Sequence, residues 1–313
     1  MPKEIRVAVT GGSGFVGRYA IRHLIARGCE VHCLSRRPPS ELHKEITHHD
    51  IDLLCADVAP LLTTIAPTHL LHLAWYASPG RFWTSLENLD WVAATIRLVR
   101  AFATTGGQRI VGAGTCAEYD WHQVPYEHHL PRLDERRSPS NPATLYGKAK
   151  NAARVLLEAA AAEMSLSFAW GRIFFVYGPG ESPGRLVPDV VSALLDGRPF
   201  ECSEGLQRRD FMHVDDVGRA FSELLLSEVE GPVNIATGTS ASIREVVKLI
   251  AEVADLPSAV RFGAPRPSEP DFLIAATDRL TKELRFSPRF GLREGLADAV
   301  RWWRHVRTAE TNR

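Results

Sequence analysis

The stretch VAVTGGSGFVG, residues 7–17, decides how the rest of the chain is read. An apolar run ends at Thr10, and Gly11, Gly14 and Gly17 then recur at even spacing ahead of a helical pattern. Such a turn from strand into helix needs glycine for positive φ and for close approach. It leaves backbone N–H groups and the helix N-terminus facing a pyrophosphate. A glycine-rich turn alone is equally a tight strand-to-helix connection; its place directly after the first strand points to a dinucleotide.

Outward from that turn, the runs IRVAVT, EVHCLS, THLLHLAW, RIVGAGT and LSFAWGRIF alternate with helical patterns, the first helix beginning near Phe15. Short apolar strands separated by helices predict an α/β fold, a Rossmann-type doubly wound parallel sheet covered on both faces. From about Val176 the pattern breaks up at YGPGESPG. RDFMHV (209–214) and GPVNIAT (231–237) read as strands returning to the sheet, and GLREGLADAVRWWRHV (291–306) as a helix. The expected division is a dinucleotide-binding domain of residues 1–175 plus about 209–236, and a smaller, discontinuous C-terminal α/β substrate lobe of residues 176–208 plus about 237–313. Residues 121–142 read as a long surface loop.

The chain of 313 residues is 45% hydrophobic and 24% charged, as in ordinary globular proteins. Its 37 basic and 37 acidic residues cancel, so no nucleic-acid or membrane partner is expected. The five cysteines show no zinc spacing, and scattered thiols suit a reducing, cytoplasmic setting. The histidines, His128 and His129 included, form no ligand set, so no metal is expected.

The cofactor type is read at the end of the second strand. An acid there would accept from an NAD ribose, but the chain offers Ser35, Arg36 and Arg37 with no acid before Glu41. Two guanidiniums suit a 2′-phosphate, so NADP(H) is favoured over NAD(H).

The helix former TLYGKAKNAARVLLEAAAAEM (144–164) sets Tyr146 and Lys150 four apart, on one face. A lysine one turn from a tyrosine favours the phenolate, which makes the phenol usable as a general acid or base. In GTCAEYD (114–120), by contrast, Thr115, Cys116, Glu118 and Tyr119 cannot be ranked locally.

Taken together, the motifs resemble the extended short-chain dehydrogenase/reductase family, in its branch acting on nucleotide sugars. The likeness runs through TGGSGFVG (10–17), Asp50 with Ile51, HLAW (72–75), Asn88, Thr115, Tyr146 with Lys150, YGPG (177–180), RDFMHV and NIATG (234–238). It implies a cofactor held by Gly11, Ser13, Gly14, Phe15, Val16, Gly17, Ser35, Arg36, Arg37, Asp50, Ile51, Leu73, Ala74, Trp75, Tyr146, Lys150 and Phe174. It implies catalysis by Thr115, Tyr146 and Lys150, with Glu118 and Tyr119 structural. Tyr76, Thr115, Phe175, Arg185, Leu186, Arg209 and Arg266 would meet the substrate, a nucleotide sugar, with Arg209 and Arg266 on its diphosphate. A homodimer through the helices near residues 88–102 and 146–162 is implied as well.

Two departures bear on the reaction. Dehydratases of the family carry acids directly after the Thr, where Cys116 and Ala117 stand, and Ala117 cannot exchange a proton. Phe175 replaces an amide common in relatives. The expected activity is therefore 4-ketoreduction of a nucleoside-diphosphate 4-keto-6-deoxyhexose. The alternative within the fold is a nucleotide-sugar 4-epimerase; the non-enzyme alternative is an NADP-binding regulatory protein.

Overall fold

Alternation within the first strand already builds two layers: Val7 and Val9 point to one side of the sheet, Ala8 to the other, and all three are buried. The computed structural model describes residues 5–39, 44–127, 130–264 and 270–311. Its central sheet comprises β1 (Arg6–Thr10), β2 (Glu30–Ser35), β3 (Thr47–Asp50), β4 (His69–His72), β5 (Arg109–Thr115), β6 (Ser167–Ile173) and β7 (Gly231–Ile235). All pairings are parallel, in the order β7-β6-β5-β4-β1-β2-β3. The doubly wound sheet expected from the sequence is thus present. Its order reverses between β1 and β4, and the crevice at the carboxyl ends there is where such folds bind ligands.

On the Val7 face lie α1 (Gly17–Ala26) and α6 (Val214–Leu225), sharing a core of Ile21, Leu24, Val217 and Phe221. The Ala8 face carries α2 (Ala59–Ile65), α3 (Glu87–Thr104) and α4 (Leu145–Glu163), packed through Leu62, Leu98, Phe102 and Leu157. A third core joins α5 (Leu186–Leu195), α7 (Ile243–Val253) and α8 (Leu292–Thr311) around Val190, Val191, Val247, Ile250 and Leu296.

RDFMHV departs from expectation. Phe211–His213 pairs in parallel with Phe175–Tyr177 and not with the central sheet. β7 already occupies the place beside β6, and the chain turns off the sheet at Phe174, whose N–H still donates to Ile235 O, so the two short strands meet beyond the sheet's end. The first helix begins at Gly17, two residues later than expected, because the glycine turn runs on through Val16. Residues 121–142 are more than a surface loop. Leu133 is buried and bridges to Ala275, and Asn234 ties the segment down. The Asn234 amide donates to Leu133 O (2.8 Å) and Ala276 O (3.0 Å), while its Oδ1 accepts from the Tyr119 hydroxyl (2.7 Å).

Candidate active site

The glycine turn is a tight cradle. Gly11 has φ +70°, and a Cβ built there would lie 2.6 Å from Ala74 N; one on Gly17 would lie 2.1 Å from Gly11 O. A side chain at Gly11 would push the turn off the β4 exit, and one at Gly17 would push α1 off the turn. Ser13 and Gly14 are exposed at the mouth, and Phe15 and Val16 are half-buried behind them. Leu73 N–H donates to Thr10 O (3.2 Å) and Ala74 N–H to the Thr10 hydroxyl (3.3 Å), which sets the β4 exit against the turn.

At the β2 exit the Ser35 hydroxyl donates to Arg37 O (2.7 Å), and Ile51 N–H, just past Asp50 at the end of β3, donates to Ser35 O. The Arg36 side chain is 73% exposed, with its guanidinium 3.8 Å from Asp52. A pair that long and that solvated holds the arginine only loosely.

The ends of β5 and α4 bring Thr115, Tyr146 and Lys150 together. Thr144 caps α4 by accepting from Gly147 N–H (3.1 Å). Two residues on from that cap, Tyr146 is wedged edge-on between Phe82 (4.8 Å between centroids) and Trp83 (5.8 Å). Burial pushes its phenol above the ordinary tyrosine range, and a hydrogen bond with the Thr115 hydroxyl works the other way. Lys150 is buried, donates to Ala113 O (2.7 Å) and lies 3.8 Å from the centre of the Trp75 ring. Burial pushes its ammonium down to about 7, against the attraction of Glu118. The neighbouring His72 is pushed down to about 3 by burial and is neutral, bonded to Thr10 and Thr95.

Cys116 is buried, and burial pushes its thiol up to about 12, so it is no base at neutral pH. Tyr119 is buried on Asn234. Glu118 accepts from Thr115 N–H, the Trp170 indole and the Arg172 guanidinium. Arg172 had a visible signal in the sequence, a charge inside an otherwise apolar strand, but its partner lies 54 residues away.

Tyr76 is half-buried in the loop after β4. Arg185, which precedes α5 just before Leu186, reaches across to Ala77 O (3.5 Å) with its guanidinium 5.0 Å over the Phe82 ring. Phe174 is buried; Phe175 packs on Phe211, and the Arg209 guanidinium lies 5.6 Å over its ring. Buried Arg209 donates to Arg208 O and Pro270 O, while Asp210 is taken by Thr237, Gly238 and Ala275. Arg266 lies outside the described residues. Among those residues, no group of three or more His, Cys, Asp or Glu could hold a metal ion, and no helix is long and apolar enough to cross a membrane.

The family model described as "NAD dependent epimerase/dehydratase family" matches residues 7–236. The chain belongs to that family. Within it, the dTDP-4-dehydro-6-deoxy-D-allose reductase of Streptomyces bikiniensis is 29% identical over 317 residues, covering 96% of each chain. The structure of MoeE5 in complex with UDP-glucuronic acid and NAD is 32% identical, with a TM-score of 0.81 over 96% of this chain and 99% of that one. The UDP-glucose 4-epimerase of Thermus thermophilus, complexed with NAD, is 26% identical, with a TM-score of 0.83 over the same shares. The fold and the enzyme class expected from the sequence are those of this family.

Proposed function

We propose that this family member is an NADP(H)-dependent reductase of a nucleoside-diphosphate 4-keto-6-deoxyhexose. The observation that carries the reading is the pairing of the Thr115 and Tyr146 hydroxyls above a buried Lys150, followed by Cys116 and Ala117 where a dehydratase needs acids. The likeness to the Streptomyces reductase supports the same substrate class.

In this reading the turn at 11–17 takes the pyrophosphate, a fit supported by a cradle that a Cβ at Gly11 or Gly17 would fill. Asp50, Ile51, Leu73, Ala74, Trp75 and Phe174 line the cofactor's path, and Ser35, Arg36 and Arg37 take its 2′-phosphate. When bound, the nicotinamide supplies a hydride to the sugar's C4. Thr115 orients the C4 ketone oxygen by hydrogen bonding. Tyr146, kept protonated at neutral pH by burial, gives that oxygen its proton. Lys150 holds positive charge beside the phenolate that forms. Tyr76, Phe175 and Leu186 wall the sugar and nucleoside, and Arg185 and Arg209, with Arg266, offer cations to the diphosphate.

The domain division given above belongs to this reading and is supported by the separate core of α5, α7 and α8. So does a homodimer: Leu86 just before α3, Leu89 on α3, and Val155 and Leu156 on α4 are left 47–71% exposed on or beside two helices packed together, and a second copy would cover them. Five free thiols support a reducing, cytoplasmic setting.

Incubation with NADPH and a panel of nucleoside-diphosphate 4-keto-6-deoxysugars tests the reaction; absorbance at 340 nm should fall in proportion to the alcohol formed. The second reading, 4-epimerisation, is favoured by the likeness to the Thermus epimerase with NAD. It takes over if the ketosugars leave NADPH untouched while a 4-hydroxy nucleotide sugar is inverted with no added cofactor.

A further inference from the structure

We propose that Glu118 is a positioning residue whose buried negative charge keeps the Tyr146–Lys150 pair in its phenol–ammonium state, the state that delivers a proton to a ketone. The carboxylate has no exposed surface, and both oxygens are fixed from three directions. Oε1 accepts from Thr115 N–H (2.8 Å) and from the Trp170 indole (2.9 Å), while Oε2 accepts from Arg172 Nε (2.8 Å).

The active site is built around this carboxylate. A Cβ on Gly114 would lie 2.5 Å from Glu118 Oε1 and 2.1 Å from Trp170 Nε1, so β5 has a glycine there because acid and indole fill the side-chain space. Lys150 binds the carbonyl of Ala113, the residue before that glycine, and faces the same indole ring at 5.8 Å. Acid and ammonium thus bind the same strand on either side of Gly114, the acid at Thr115 N–H and the ammonium at Ala113 O, and both are buried, with little solvent to screen them.

The remaining charges do not replace it. Arg172 and Arg154 face the carboxylate, His72 beside Lys150 is neutral, and Arg185, over the Phe82 ring that packs on Tyr146, acts on Tyr146 as a cation. Glu118 is thus the anion of this group, attracting a proton to Lys150 and opposing the loss of one from Tyr146. The bias suits reduction, and in that respect alone the inference rests on the proposed function; an enzyme that begins by oxidising an alcohol needs the phenolate instead.

The test is Glu118→Gln, which keeps the shape and the acceptor oxygen facing Thr115 and Trp170, and removes the charge together with the acceptor facing Arg172. Protein labelled with carbon-13 at the lysine ε-carbon reports the Lys150 titration directly, the signal being assigned by its loss in Lys150→Met. In Glu118→Gln the midpoint should fall by about one pH unit or more. The alkaline limb of ketone reduction, which follows loss of a proton from the Tyr146–Lys150 pair, should move to lower pH with it. Should Glu118→Gln fail to fold, Arg172→Gln gives the opposite sign, since the freed carboxylate raises the Lys150 midpoint. A midpoint unmoved in the folded variant, whatever happens to turnover, overturns the assignment and leaves Glu118 as scaffold. Movement of the midpoint in protein that reduces no ketosugar supports the assignment while removing the reductase reading.

Discussion

The floor of the cleft and its rim are built on opposite principles. On the floor, Thr115, Glu118 and Lys150 are buried, and protein groups fix each of them before any ligand arrives. On the rim, Arg36 is mostly in solvent with a long contact to Asp52, and Arg185 rests on the Phe82 ring and the Ala77 carbonyl. Rigid groups favour chemistry, because a proton donor already aligned needs no reorganisation at the moment of transfer. Loosely held arginines favour recognition, and in the proposed function the partner that orders them is the ligand's own phosphate.

The sharpest way to break this contrast is Tyr146→Phe, which deletes one floor hydroxyl. Turnover should drop at least about a hundredfold with the Kd for cofactor nearly unchanged, measured by steady-state kinetics and fluorescence titration. A near-normal kcat would mean that the floor does not carry the chemistry. On the rim, replacing Arg36 and Arg37 together by Ala should weaken NADPH binding by roughly tenfold and leave NADH binding level. Equal loss for both cofactors would deny these arginines a phosphate-reading role. Arg185→Ala should raise KM for the nucleotide sugar several-fold with kcat little altered; a fall in kcat at unchanged KM would move Arg185 from rim to floor.

Glu181 sharpens the comparison by crossing it. It stands in the rim loop, yet it is buried and its Oε2 has no hydrogen-bond partner among the described residues. Burial pushes its carboxyl up to about 8. The folded protein thus keeps a proton that the unfolded chain releases in the ordinary carboxylate range. This contribution to stability is complete below that range and is lost as pH climbs to about 8. Glu181→Gln should leave the Tm unchanged at about pH 4 and raise it by roughly 5–10 °C at about pH 8.5, read by scanning calorimetry. Equal Tm shifts at both pH values would show that Glu181 folds ionised.

What could be read in the sequence follows the same division by distance along the chain. The turn at 11–17 and the Tyr146–Lys150 pair are local patterns, and strand and helix periodicities fix their geometry within a few residues. The pairing of Phe211–His213 with Phe175–Tyr177 and the contact of Glu118 with Arg172 join distant segments, which no local period encodes. Thr115 is separable from its neighbours in GTCAEYD only through family likeness. The structure adds a physical reason: the Cys116 thiol is buried and pushed up to about 12, while Glu118 and Tyr119 are engaged by Arg172 and Asn234.

Asn234 also has a consequence for the order in which the protein is made. Synthesis delivers the β5 exit and all of α4 well before β7 leaves the ribosome, and the carbonyl of Ala276 comes later still. A nascent chain that stops short of β7 would hold Thr115, Tyr146 and Lys150 but not the amide that pins Tyr119 and Leu133 behind them. The loop leaving β5 is therefore among the last parts to set, and on the proposed roles of Thr115, Tyr146 and Lys150, competence for turnover is a property of the finished polypeptide rather than of its amino-terminal half.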